Sequence, residues 1–182
     1  MRRSPAGERH TSNGNRNGVF STSAAEAEPR CSVCWNAART EWYAAWTHRP
    51  KAWKFSRRKT ARYADRCSVE QATADDLPYG DRAFDAVTAF ETVYFWGDLH
   101  RAFAEVARVL KPSGVFLVCC EMSNPGNDTW TSRIEGMQVF SPEELSAALA
   151  DSGFTDIAVY RRGKENCCVT ACTPDGRRTA EE

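Results

Sequence analysis

Hydrophobic and polar positions are unevenly ordered along this chain, and the order is clearest in its second half. Phe84-Asp85-Ala86-Val87-Thr88-Ala89-Phe90 is a short, mostly apolar run with β-branched and aromatic residues. Gly80-Asp81 precede it and Glu91 follows, which predicts a strand buried on both faces. From Asp98 the period lengthens. Leu99, Phe103, Val106 and Leu110 recur at three- and four-residue spacing, with Ala102 and Val109 beside them, so the pattern predicts an amphipathic helix. Asp98 suits its N-cap, and Lys111-Pro112-Ser113-Gly114 supplies a cation, a breaker and a turn at its end. Val115 to Cys120 is a second buried run. Two buried strands joined by one helix predict a right-handed parallel crossover.

Farther on, Ser141-Pro142-Glu143-Glu144 combines an N-cap, a proline at the first helical position and first-turn acids. A helix is expected from there to about Asp151, with Leu145, Ala148 and Leu149 inward. Residues 155–161 and 166–173 alternate around Arg162-Gly163-Lys164-Glu165, which predicts a hairpin. Residues 122–138 are turn-rich and read as a partly helical lid. Cys67 to Ala72 alternates and reads as another strand. Ahead of it the order dissolves. Residues 1–30 are rich in Arg, Ser, Asn, Gly and Ala and are expected to be disordered, and residues 175–182 form a loose polar tail.

These residues carry a family resemblance. The loop Ala74, Asp76, Leu77, Pro78, Tyr79, the run Phe84 to Val87 and the segment Arg108 to Gly114 (RVLKPSG) resemble, in order and spacing, a class I S-adenosylmethionine-dependent methyltransferase of the small-molecule type. The likeness continues through Phe140 to Leu145 and Ser152-Gly153-Phe154, and covers about residues 56–174. The resemblance implies an α/β, Rossmann-like, mostly parallel sheet closed by an antiparallel hairpin, with its N-terminal part incomplete. It implies S-adenosylmethionine as cofactor and a small-molecule substrate. Thr73, Ala74 and Asp75 fall where relatives contact the adenine, though Asp75 and Asp76 read equally as a solvated turn. Phe90 and Glu91 end the strand at the carboxyl edge of the sheet, where such sheets bind ligands. There Glu91 either orients the cofactor or substrate or caps the next turn. Tyr94 and Trp96 would line a substrate pocket or pack under a helix, and Glu121 ends the next strand at the same edge. No catalytic His/Asp/Ser constellation is visible.

What the resemblance also implies, and the sequence lacks, is a glycine-rich cofactor loop and a ribose-binding acid. No glycine lies between Cys31 and Ser68, and Thr47-His48 offers no carboxylate where the acid is expected. A shifted reading frame, a misplaced start or a degenerated half-domain before about residue 50 would each account for this.

Composition sharpens the contrast. The chain has 182 residues and net charge zero, one domain's worth of chain. Residues 1–66 hold 14 Lys and Arg against 5 Asp and Glu, leaving 10 against 19 for the remainder. Residues 31–55 form an atypical Cys- and Trp-rich segment with four of the six tryptophans. Its Cys31-Ser32-Val33-Cys34 lacks a second ligand pair, since Cys67 and His48 fit no common zinc spacing, so no metal is assigned. Lys51, Lys54, Arg57, Arg58, Lys59 and Arg62 could contact nucleic-acid phosphates. The reading preferred on sequence is a helix with a solvated basic face and Trp53 or Phe55, Ala61 and Tyr63 turned inward, without nucleic acid. No apolar run is long enough to span a membrane. Adjacent cysteines in a strand point to opposite faces, so Cys119-Cys120 and Cys167-Cys168 suggest reduced thiols and a cytoplasmic setting. A catalytically inactive remnant, or a nucleic-acid-binding module using the basic N-terminal region, are the alternatives to an enzyme.

Overall fold

The computed structural model describes residues 18–23, 42–65 and 67–176. They build one seven-stranded sheet: β1 (Gly18–Ser23), β2 (Trp42–Thr47), β3 (Cys67–Gln71), β4 (Phe84–Phe90), β5 (Leu110–Cys120), β6 (Thr155–Arg162) and β7 (Asn166–Cys172). The helices are α1 (Pro50–Thr60), α2 (Leu99–Val109) and α3 (Pro142–Asp151). Strand order is β3-β2-β1-β4-β5-β7-β6. Strands β1 to β5 pair parallel, and β7 joins β5 and β6 antiparallel. This is the mostly parallel sheet with a closing hairpin that the resemblance implied.

Local signals act as read. Asp98 caps α2 by accepting from the N–H groups of His100 and Arg101. Leu99, Ala102, Phe103, Val106 and Val109 are its buried face. Ser141 and Glu144 cap α3 reciprocally, each side chain bonding the other's backbone N–H, which satisfies two otherwise orphaned donors. Strands β4 and β5 are sheet neighbours, with Phe90 opposite Cys119.

Four expectations change. Gly18–Ser23, within the segment expected to be disordered, is an interior strand, hydrogen-bonded to β2 on one side and β4 on the other. Val19, Phe20 and Thr22 are good strand formers, but six residues carry too little apolar pattern to announce a strand. Pairing from both sides decides it. The atypical segment holds β2 and the start of α1. Cys31, Cys34 and the rest of 1–17 and 24–41 lie outside the described residues. The span 122–138 forms turns rather than a helical lid. Its start is tied to the β6–β7 turn by Ser123 Oγ donating to the Glu165 carbonyl, and its end by Gln138 N–H donating to the Tyr94 carbonyl. Finally, the cysteines are not all reduced. The antiparallel register sets Cys119 opposite Cys168 and Cys120 opposite Cys167, and Cys119 and Cys168 are disulfide-bonded at a Cα separation of 4.3 Å. The face argument excludes bonds between neighbours in one strand, but cross-strand register is not visible in sequence.

The core is centred on Phe116 of β5, whose ring meets Phe103, Trp96 and Phe154 at centroid distances of 5.5, 6.2 and 5.7 Å. Phe116 is fully buried. Phe116→Ala is therefore expected to lower unfolding free energy by about 3–5 kcal/mol in urea denaturation. A loss under about 1 kcal/mol would show that this ring cluster does not organise the core.

Candidate functional site

Chain direction across the sheet reverses at β1. The chain runs outward through β2 and β3, then returns to place β4 on the other side of β1. In open α/β sheets a reversal of this kind places a ligand crevice at the carboxyl ends of the strands. A cavity of about 200 Å³ lies at this edge, lined by Trp46, Thr47 and His48 after β2, Ala72 to Asp75 after β3, and Thr92, Phe95 and Trp96 after β4.

Each wall has a local cause. Trp46 and Thr47 end β2 and are buried. Thr47 Oγ1 accepts from Arg49 N–H at 3.3 Å, and the Thr47 carbonyl accepts from Ala72 N–H at 3.2 Å, holding the β2 and β3 ends together. A tight turn follows, in which Asp76 N–H donates to the Thr73 carbonyl. The Asp75 carboxylate pairs with Arg101 of α2 at 3.3 Å. The rest of that loop is pinned from below. Leu77 N–H donates to Glu105 at 2.8 Å, and Arg108 donates to the carbonyls of Tyr79 and Leu77 and to Glu105 and Asp81. Two sequence motifs some thirty residues apart are thus one hydrogen-bonded unit.

Opposite, Trp96 lies parallel to Phe116 at 6.2 Å and tilted against Trp46 at 6.1 Å. It faces the cavity and the core together. Thr73, Ala74, Asp75 and Trp96, expected from sequence, meet at this cavity. Phe90, Glu91, Tyr94 and Glu121 are not among its lining residues.

Phe90 ends β4, and the other three belong to a polar knot behind the cavity. Tyr94, expected as a pocket liner, is buried. Its hydroxyl donates to Glu91 Oε2 at 3.0 Å and accepts from Met122 N–H at 3.0 Å. Glu91 Oε1 accepts from the backbone N–H of Glu121 at 2.7 Å, while Glu91 N–H donates to the Cys119 carbonyl. Glu91 has φ of 55°, a left-handed conformation that non-glycine residues adopt only when their surroundings hold them there. Burial pushes its carboxyl above the usual range, opposed by the bonds from Tyr94 and Glu121. The aromatic-loop argument placed Tyr94 correctly as costly to expose, but its hydroxyl finds partners in the interior instead of a pocket. Glu121 is exposed and joins the knot through its backbone.

Sequence reasoning missed Trp46, Ala72 and Thr92 as lining residues. The alternation of Tyr43 to Thr47 was the available signal, obscured by the cations and tryptophans around it.

A family model described as a methyltransferase domain matches residues 36–118, beginning well before Ser56. An uncharacterized Escherichia coli protein, YafE, is 35% identical over 80 residues, 43% of this chain and 39% of that protein. A protein of Mycobacterium tuberculosis named as a probable S-adenosylmethionine-dependent methyltransferase is 33% identical over 97 residues, 52% of this chain and 35% of that one. The chain therefore spans well under half the length of these curated relatives. Among solved structures, the [4+2]-cyclase SpnF superposes with a TM-score of 0.69 and 18% identity, covering 88% of this chain and 76% of that chain.

The knot predicts a stability effect separate from ligand binding. Tyr94→Phe is expected to cost about 1–3 kcal/mol, because Met122 N–H and one Glu91 oxygen lose a buried partner. Denaturation of the unliganded protein reads this directly, and an unchanged midpoint would mean the knot contributes nothing.

Proposed function

We propose that the chain is a class I S-adenosylmethionine-dependent methyltransferase, as its matches support, and that it methylates a small molecule, holding the cofactor's adenosine in the cavity beside Trp96. The observation that carries this reading is the position of that cavity, at the strand-order reversal and against the Thr73–Asp75 turn. The lining suits adenosine at the base end. Ala74 leaves a close backbone approach, Thr73 and Asp75 offer hydrogen-bonding side chains, and Trp46, Phe95 and Trp96 supply apolar walls.

The fit is poorer toward the ribose and the amino-acid end. After β2 stand Thr47 and His48, where a carboxylate would accept from ribose hydroxyls. After β1 the sequence has no glycine until Gly80, so a close glycine-lined backbone approach is not encoded there. S-adenosylmethionine supplies an activated methyl group as a sulfonium. Beyond binding, this chain's residues need only align the acceptor and keep water out. The rings of Phe95 and Trp96 would also attract a cationic ligand, by about 0.5–2 kcal/mol. The cytoplasm is the proposed compartment, since among the described residues Cys67, Cys120, Cys167 and Cys172 are free thiols, as a reducing setting favours.

Hydrogen bonds to charged groups contribute about 1.5–3 kcal/mol each. Lacking two such anchors lowers affinity by about 10²–10⁴. Calorimetric titration of the chain with S-adenosylmethionine is therefore expected to give Kd near 1 mM, an order-of-magnitude figure. Grafting a relative's first βαβ half, with its glycine loop and ribose acid, onto residues 56–174 is expected to restore tighter binding. Micromolar affinity of the unaltered chain would contradict this account of the ribose end.

A further inference from the structure

Helix α1 leaves the cavity rim directly after His48 and carries charge that the site does not use. Lys51, Lys54, Arg57, Arg58 and Lys59 lie within it, Arg62 follows in a single 3₁₀ turn, and no acid interrupts them. Spacings of three, four and four residues set Lys51, Lys54, Arg58 and Arg62 on one face, a row of about 16 Å at the helical rise. Among the described residues, no carboxylate forms an ion pair with any of these six cations. A solvated helix held by its inner face would turn Trp53 or Phe55, Ala61 and Tyr63 inward. Here no residue of α1 is fully buried, and Ala61 is exposed. Trp53 is anchored toward the sheet by a side-chain bond, its indole N–H donating to the Val69 carbonyl of edge strand β3 at 3.0 Å.

Phe55 points the other way. It sits four residues after Lys51 and three before Arg58, on the cationic face, 41% exposed, with Lys59 Nζ 5.4 Å from its ring centroid. Uncompensated cations around an accessible ring suit a ligand that brings both phosphates and unstacked bases. An anionic membrane would require an apolar helix face, and one phenylalanine is not a face. An acidic peptide or a stacked duplex would leave the ring unused. We infer that the Lys51–Arg62 face of α1 is a docking surface for single-stranded nucleic acid, with Lys51, Lys54, Arg58 and Arg62 contacting successive phosphates and Phe55 stacking on a base. The surface leads toward the cavity rim at His48, yet its binding does not depend on the methyltransferase reading.

Fluorescence anisotropy of a labelled oligothymidylate with the full chain tests it. Four phosphate contacts predict a slope of log K against log salt of about −2.8, a loss of about 50-fold between 50 and 200 mM salt. Phe55→Ala is expected to weaken binding on the order of ten-fold with that slope unchanged. The quadruple variant Lys51→Gln, Lys54→Gln, Arg58→Gln, Arg62→Gln is expected to abolish the salt dependence. All five side chains are exposed, so circular dichroism should show both variants folded. Absence of binding at 50 mM salt overturns the inference, as does binding indifferent to the quadruple variant. Equal affinity for a duplex with Phe55→Ala silent, or preference for phosphatidylserine vesicles over the oligonucleotide, would also overturn it.

Discussion

Parallel pairing of β1 with β4, from Val19 opposite Ala86 to Ser23 opposite Phe90, is the constraint on which the rest of this molecule depends. Without β1 the sheet would divide into a β3-β2 pair and a β4-β5-β7-β6 unit that share no hydrogen-bonded strand neighbours. With it, the strands on either side of β1 are reached by connections running in opposite directions, and a crevice opens at their carboxyl ends. Both walls of the cavity follow from this. Trp46 and Thr47 arrive from the end of β2, and Thr92 to Trp96 from the end of β4. The strand least marked by sequence is therefore the one that places the site.

Around that constraint, long-range polar contacts fix the loops. Arg108 and Glu105 on α2 hold the turn after β3 from beneath, while Glu91 and Tyr94 bind the end of β4 to the end of β5. Neither group needs to touch a ligand to matter. Displacing the Thr73–Asp75 turn or the Trp96 loop by an ångström alters the cavity as much as changing a lining residue does. The left-handed backbone at Glu91 is held by bonds on its carboxylate and its N–H, the over-determination such a conformation requires.

The C-terminal half was legible because its signals are local and redundant. Asp98 and Ser141 announce helix starts, Phe84 to Phe90 reads as a buried strand at any register, and the hairpin alternates on both sides of its turn. β1 was not legible because Val19 and Phe20 are its only large apolar residues and its stability is supplied by neighbours on both sides. β2 was obscured because a six-residue alternation is easily lost among tryptophans and cations. The Cys119–Cys168 bond depends on cross-strand register, and the hydroxyl partners of Tyr94 depend on a backbone N–H at Met122; neither is encoded by spacing. A [4+2]-cyclase shares this fold at a TM-score of 0.69, and function resides in the site built upon the sheet.

The central claim is that the cavity at the strand reversal is the adenosine site. A crystal of the chain soaked in excess S-adenosylhomocysteine tests it most directly. The account predicts adenine density against Thr73, Ala74 and Asp75, with the ribose toward Thr47 and His48 and the sulfur end toward Trp96. Ordered ligand at another face of the sheet, with this cavity empty, would contradict it.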